Sequence, residues 1–163
     1  MKTLARSLAA LAAICLLAAT LRADEMQIPN LMADAKVGDW VLLEAQGGIQ
    51  MRQTVEAVTP EQLTLKIETM MNGQVLSAMS QPIPRTQGEF AEMPEATADA
   101  PQPKISKGKA TVKGKELDCW IIEMTVQGQT SKTYLSKDVP INGMVKSEMG
   151  GQVSMKLVDF GRK

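Results

Sequence analysis

The chain contains no histidine among its 163 residues. That absence removes the side chain most used for proton transfer near neutral pH. It also removes the usual imidazole ligand of zinc and copper(II), and the base of Ser-His-Asp triads. Cysteine is scarce too, present only as Cys15 and Cys119. Neither sign of charge dominates, since 18 basic residues face 18 acidic ones. Domains that bind nucleic acid generally carry a strong basic excess, so nucleic acid is not an expected partner. A phosphate-cradling glycine loop, a metal-ligand spacing and an Asn-x-Ser/Thr acceptor are also missing, so no metal or other cofactor is expected. An enzyme built on this chain would have to work with carboxylates alone or with an external cofactor.

What is present begins with an address. Lys2 and Arg6 precede an uncharged apolar run from Leu8 to Leu21, and Leu21-Arg22-Ala23 ends on a small residue before Asp24-Glu25. That order is the pattern of a secretory signal peptide over residues 1–23. The run is shorter than the roughly 18 apolar residues expected of a membrane-spanning helix, and no second run of that length follows. Lipid-attachment cysteines normally follow a small residue, whereas Ile14 precedes Cys15. The expectation is therefore export to the periplasm or the extracellular space, with no transmembrane segment after cleavage. Loss of Lys2, Arg6 and Arg22 would leave 15 basic against 18 acidic residues, a net charge of −3. Cys119 would then be the single cysteine, and an intramolecular disulfide is excluded although the compartment would allow one.

The remaining residues, 24–163, fit one domain with its own core. Pro29 predicts a short helix near the start. From Val37 the hydrophobic period becomes two. Ile49, Met51, Val55 and Ala57 alternate with Gln50, Arg52, Thr54 and Glu56, and Leu63, Leu65 and Ile67 alternate with Thr64 and Lys66. Such alternation describes half-buried antiparallel strands. Gly47-Gly48, Asn72-Gly73, Gln127-Gly128 and Gly150-Gly151 fall between these runs and suit tight hairpin turns, and Asn142-Gly143 is a further candidate. Nine strands are expected, at 37–46, 49–58, 62–71, 74–81, 107–114, 116–127, 129–136, 142–149 and 152–160. The fold class is mainly β: an antiparallel meander forming a half-barrel, a barrel or a sandwich. A proline-rich insert, 82–106, is expected to be mobile or extended. Whether the strands on its two sides form one sheet or two is left open by the sequence.

Several constellations of side chains bear on chemistry. Met70, Met71 and Met79, or Met144, Met149 and Met155, offer thioethers to copper(I), but Met on the apolar face of a strand is ordinarily a flexible core filler. Lys107, Lys109, Lys113 and Lys115 would project from one face of a strand, with Lys104 just before it. They read either as a stripe for an anionic surface or as the protection of an exposed edge strand. Ser106-Lys107-Gly108-Lys109 has the Ser-x-x-Lys spacing without the companion motifs that give it meaning. Cys119 lacks a histidine base and is expected to be a small buried hydrophobe, not a nucleophile.

The segment Lys132-Thr-Tyr134-Leu-Ser136-Lys-Asp138-Val-Pro140-Ile-Asn-Gly143-Met-Val145-Lys146 follows Gly114-Lys-Glu-Leu-Asp-Cys119. It resembles secreted bacterial β-proteins of unassigned function that end in such a strand–Asp-Val-Pro–Gly–strand unit. The layout of export signal, short helix and long meander is similar to the half-barrel superfamily of the periplasmic lipoprotein-sorting carriers. That resemblance implies a curved sheet whose apolar face cradles acyl chains. Physically, Pro140 ends a strand and Gly143 permits the return; a structural corner is the first reading, and a binding rim held by Asp138 the second.

The expected function is that of a non-enzymatic exported domain. It would bind an apolar ligand such as lipid, or an envelope protein, on a concave sheet face lined by Trp120, Ile122, Met124 and Val126. A structural or assembly module without a small ligand is the alternative, and a carboxylate-based enzyme the third.

Overall fold

The computed structural model describes residues 28–85, 103–126 and 128–163. The expected leader at 1–23 and the centre of the proline-rich insert lie outside them. Nine strands alternate with short connections: β1 Trp40–Ala45, β2 Ile49–Val58, β3 Gln62–Met71, β4 Gln74–Pro84, β5 Lys104–Val112, β6 Lys115–Val126, β7 Gln129–Leu135, β8 Met144–Met149 and β9 Gln152–Gly161. All pair antiparallel in one sheet, in the order β4-β3-β2-β1-β9-β8-β7-β6-β5. The first strand lies against the last, with Leu43 opposite Leu157 and Val41 opposite Phe160. That non-local pair joins the strands on either side of the insert into a single sheet. β4 and β5 are its edges, so the barrel is not closed.

The hairpin turns follow from residues that accept positive φ. Asn72 and Gly73 have φ of 52° and 78°, and Gly150 and Gly151 have 59° and 81°. These values match the two-residue turns whose twist suits flanking strands. A tight 3-10 turn, Gln46–Gly48, joins β1 to β2.

Register assigns every side chain to one of two faces, and the two differ in chemistry. One row runs Ile121–Tyr134–Lys146–Lys156–Glu44–Gln50 across six strands. The next row on that face carries Lys104–Glu123–Lys132–Glu148. The opposite face carries Ile105–Ile122–Thr133–Ser147–Met155–Ala45, and beside it Leu157–Leu43–Met51. Across these rows a charged face backs an apolar one; nearer the β5–β6 turn the pattern reverses, with Lys107, Lys109 and Asp118 on the face of Trp120 and Leu117 and Cys119 buried on the other.

Burial divides the sheet along its other axis. Val41, Val55, Leu63, Leu117, Val145 and Leu157 lie towards one end of their strands and are buried. Two irregular segments cover that end. Met32 and Ala35 come from the chain before β1, and Val139, Pro140 and Ile141 from the β7–β8 connection, and all are buried. The Asp-Val-Pro segment is therefore a corner that plugs the core, and Arg162 Nη2 braces it by donating to Lys137 O at 2.7 Å. Ile141 holds φ at 69° while fully buried, a conformation that disfavours β-branched residues. Gly143, at φ 71°, has no room for a side chain, because a Cβ there would run into Leu31 and Ser136 O. Gly143→Ala is expected to destabilise the fold by about 1–2 kcal/mol, read as a lower denaturant midpoint at unchanged slope.

Some expectations need correction. The N-terminal helix is absent among the described residues. A turn forms at 31–34 instead, because Asn30 Oδ1 accepts the Met32 N–H at 3.0 Å and so competes with helical bonding. The first strand begins at Trp40, not at 37. β4 continues through Pro82 to Pro84, and β5 begins at Lys104, so the insert shrinks to the residues between these strands. Prolines are tolerated there because β4 is an edge. The β5–β6 turn falls at Lys113-Gly114, with φ of 49° and 80°. Lys107 and Lys109 therefore share one face of β5, but Lys113 belongs to the turn and Lys115 pairs with Val112 on the other face. The lysine stripe is broken, and β5 is an edge strand carrying lysines.

Candidate functional site

The four residues singled out on β6 behave as one set. Trp120, Ile122, Met124 and Val126 alternate along the strand and share the apolar face, opposite Leu135, Thr133, Ser131 and Gln129. The first three are half-buried and Val126 is 49% exposed. Trp120 also borders an open cavity of about 550 Å³, together with Pro29, Lys107, Gly108, Cys119 and Lys137. The β6 stripe thus leads from a cavity near the packed end to the open end of the sheet.

Methionine is the main constituent of this face. Met124, Met144, Met149 and Met155 lie on it in the right half, and Met51, Met71 and Met79 in the left. Seven of the twelve methionines therefore share one side of one sheet. Parity within each strand was readable from the sequence, but the alignment of all seven required the β1–β9 pair. Among the described residues the large exposed hydrophobics other than Val37 are Ile49, Met71, Val75, Leu76, Met79, Val126, Met149 and Val153. All but Met79, which shares a cross-strand row with Val41, sit at the end of the sheet away from the plug. Exposed apolar groups confined to one region mark an interaction surface more often than singly scattered ones do. Within that face the buried amide oxygen of Gln53 makes no hydrogen bond, while its Nε2 donates to Met51 Sδ at 3.5 Å.

The charged face is internally paired. Lys132 meets Glu123 at 2.9 Å, Lys146 meets Glu148 at 2.7 Å, and Lys156 meets Glu44 at 2.9 Å. Lys146 also lies over the Tyr134 ring at 4.1 Å, and Arg52 over Trp40 at 4.7 Å. The lysine partners hold the Glu44 and Glu123 carboxyls below their usual range. A depressed carboxyl pKa contributes stability that is present above the unfolded value, about 4, and is lost on acidification through the folded one. The pairs are solvent-screened and persist unchanged through neutral pH.

Cys119 is 4% exposed, and its Sγ donates to Leu117 O at 3.5 Å. Burial pushes the thiol pKa up, which is the opposite of what a nucleophile needs. Glu123 shares its face but is engaged by Lys132. The folded protein is expected to react with iodoacetamide at pH 7.5 at least about tenfold more slowly than the urea-unfolded chain, as mass spectrometry would register.

Compared with known proteins, the chain matches no family model and no curated sequence.

Proposed function

We propose that this protein is an exported carrier or receptor for an apolar ligand of the lipid class, held on the methionine-rich face of the sheet. The observation that carries this reading is the joint placement of the Trp120–Val126 stripe, seven methionines and the exposed Ile49 on one face of the sheet. Methionine is unbranched and polarizable, so a Met-lined surface adapts to flexible chains of varied shape. The cavity beside Trp120 is lined by two lysines, Lys107 and Lys137, and one carboxylate, Asp118, so polar groups of both signs border the apolar stripe that would receive the acyl chain. The resemblance to lipoprotein-sorting carriers points to the same ligand class.

Tryptophan fluorescence tests the proposal. Trp40→Phe leaves Trp120 as the single tryptophan, because the sequence contains two. Titration of that variant with oleate, and separately with a diacyl phosphatidylglycerol, is expected to shift Trp120 emission to shorter wavelength and saturate. Emission that stays constant for both would overturn the proposal.

A further inference from the structure

One face of β6 changes character along its length. Val126, Met124, Ile122 and Trp120 follow one another on that face, and the next two residues on it are Asp118 and Glu116. β5 changes with it, because Ile105 lies opposite Ile122, Lys107 opposite Trp120 and Lys109 opposite Asp118. The surface therefore runs from apolar to charged in one direction, with an indole ring at the boundary. Tryptophan suits such a boundary, since its body is apolar and its N–H polar. An acyl chain laid along the stripe would put its head group at the charged end, where the cavity beside Trp120 opens.

That cavity, of about 550 Å³, has a size ordinary for small-molecule sites, and its wall carries Lys107, Lys137 and Asp118. Ion pairs hold the neighbouring charges, since Lys109 meets Glu116 at 2.5 Å and Lys132 meets Glu123 at 2.9 Å. Asp118 and Lys137 differ. Neither side chain forms a hydrogen bond or ion pair among the described residues, and both are exposed. Charges of opposite sign thus share one cavity without meeting each other.

We propose that this cavity holds the head group of a phospholipid that bears an ammonium group as well as its phosphate, the phosphatidylethanolamine class. The phosphate sits on Lys137 and the ammonium between the Asp118 carboxylate and the Trp120 ring, where a cation–π contact adds to the charge pair. The assignment rests on the reading of the methionine-rich face as an acyl-chain site and names the lipid that fits it. A head group with phosphate alone would pair with lysine but set its own charge near Asp118. An ethanolamine ammonium supplies the countercharge, and its N–H groups can donate to the carboxylate.

Trp120 emission of the Trp40→Phe variant, followed at low ionic strength, tests the assignment. The probes are phosphatidylethanolamine, phosphatidylglycerol with the same acyl chains, and soluble glycerophosphoethanolamine. Phosphatidylethanolamine is expected to bind at least about tenfold more tightly than phosphatidylglycerol, the worth of one charge-assisted hydrogen bond. Asp118→Asn should abolish that preference by weakening phosphatidylethanolamine alone, whereas Lys137→Gln should weaken both lipids about tenfold. Both side chains are exposed, so neither substitution threatens the fold. Equal affinity for the two lipids, or a preference that survives Asp118→Asn, would overturn the head-group assignment and leave the lipid reading standing. Glycerophosphoethanolamine binding as tightly as the lipid would overturn the acyl-chain reading, and with it the lipid as ligand, while the cavity kept its phosphate-and-ammonium specificity. Constant emission with all three overturns both.

Discussion

Asp39→Ala is expected to cost about 3 kcal/mol of folding stability, among the largest effects of any single polar substitution in this chain. Asp39 is 1% exposed and lies just before β1, where no strand partner explains its burial. Its Oδ2 accepts the Lys36 N–H at 3.0 Å and its Oδ1 the Lys163 N–H at 2.9 Å. Its main chain is used as well, since the carbonyl accepts the Val55 N–H at 2.9 Å. One carboxylate thus ties the segment before β1 to the residue that follows β9, across 124 positions of sequence. Removing it leaves two partly buried N–H groups without acceptors, each worth about 1–3 kcal/mol when desolvated and unpaired. Urea unfolding followed by circular dichroism would measure the loss. Asp39→Asn keeps one acceptor oxygen and should recover about half of it. A change below about 0.5 kcal/mol in Asp39→Ala would remove this clasp from the account of stability.

The second large effect concerns binding. Ile122→Lys is expected to weaken lipid binding at least about a hundredfold, and Met124→Lys about as much. Each sets a charge in the middle of the apolar stripe, where an acyl chain offers no partner and desolvation opposes the complex. Both residues are half-buried on the face opposite the ion-paired one, so their lysines can still reach water in the unliganded protein. Stability should fall by no more than about 1–2 kcal/mol, which separates a lost ligand from a lost fold. Thr125→Lys, on the neighbouring strand position and the other face, is the control and should bind normally. Thr125 contacts Thr130 across the strands at 2.9 Å and is exposed. Isothermal titration with the lipid that shifts Trp120 emission would supply the comparison.

The parts of this architecture that were legible in the sequence are those fixed locally. β2 and β3 begin and end where the alternation of Ile49–Val58 and Gln62–Met71 begins and ends. Asn72-Gly73 and Gly150-Gly151 turn because only such residues take positive φ cheaply. The common face of Trp120, Ile122, Met124 and Val126 follows from parity alone. What depended on distant partners was not legible. Nothing in Trp40–Ala45 announces that it pairs with Gln152–Gly161, yet that pair decides between one sheet and two. The Lys113-Gly114 turn is not legible, because lysine at the first turn position carries no turn signature, although Gly114 does. Pro82 and Pro84 read as the end of order until their position on an edge, with their missing donors turned outward, is known. Asp39 looked like one polar residue in a strand, because its two acceptor bonds are closed by opposite ends of the domain.

Native mass spectrometry of the protein purified from an exporting bacterial host is the most direct test of the claim that the methionine-rich face holds a lipid. The account predicts a charge-state series carrying an extra, collisionally removable mass in the range of a fatty acid or phospholipid, absent from Ile122→Lys prepared in parallel. A bare polypeptide mass under gentle ionisation, unchanged after incubation with oleate or phosphatidylglycerol, would contradict it.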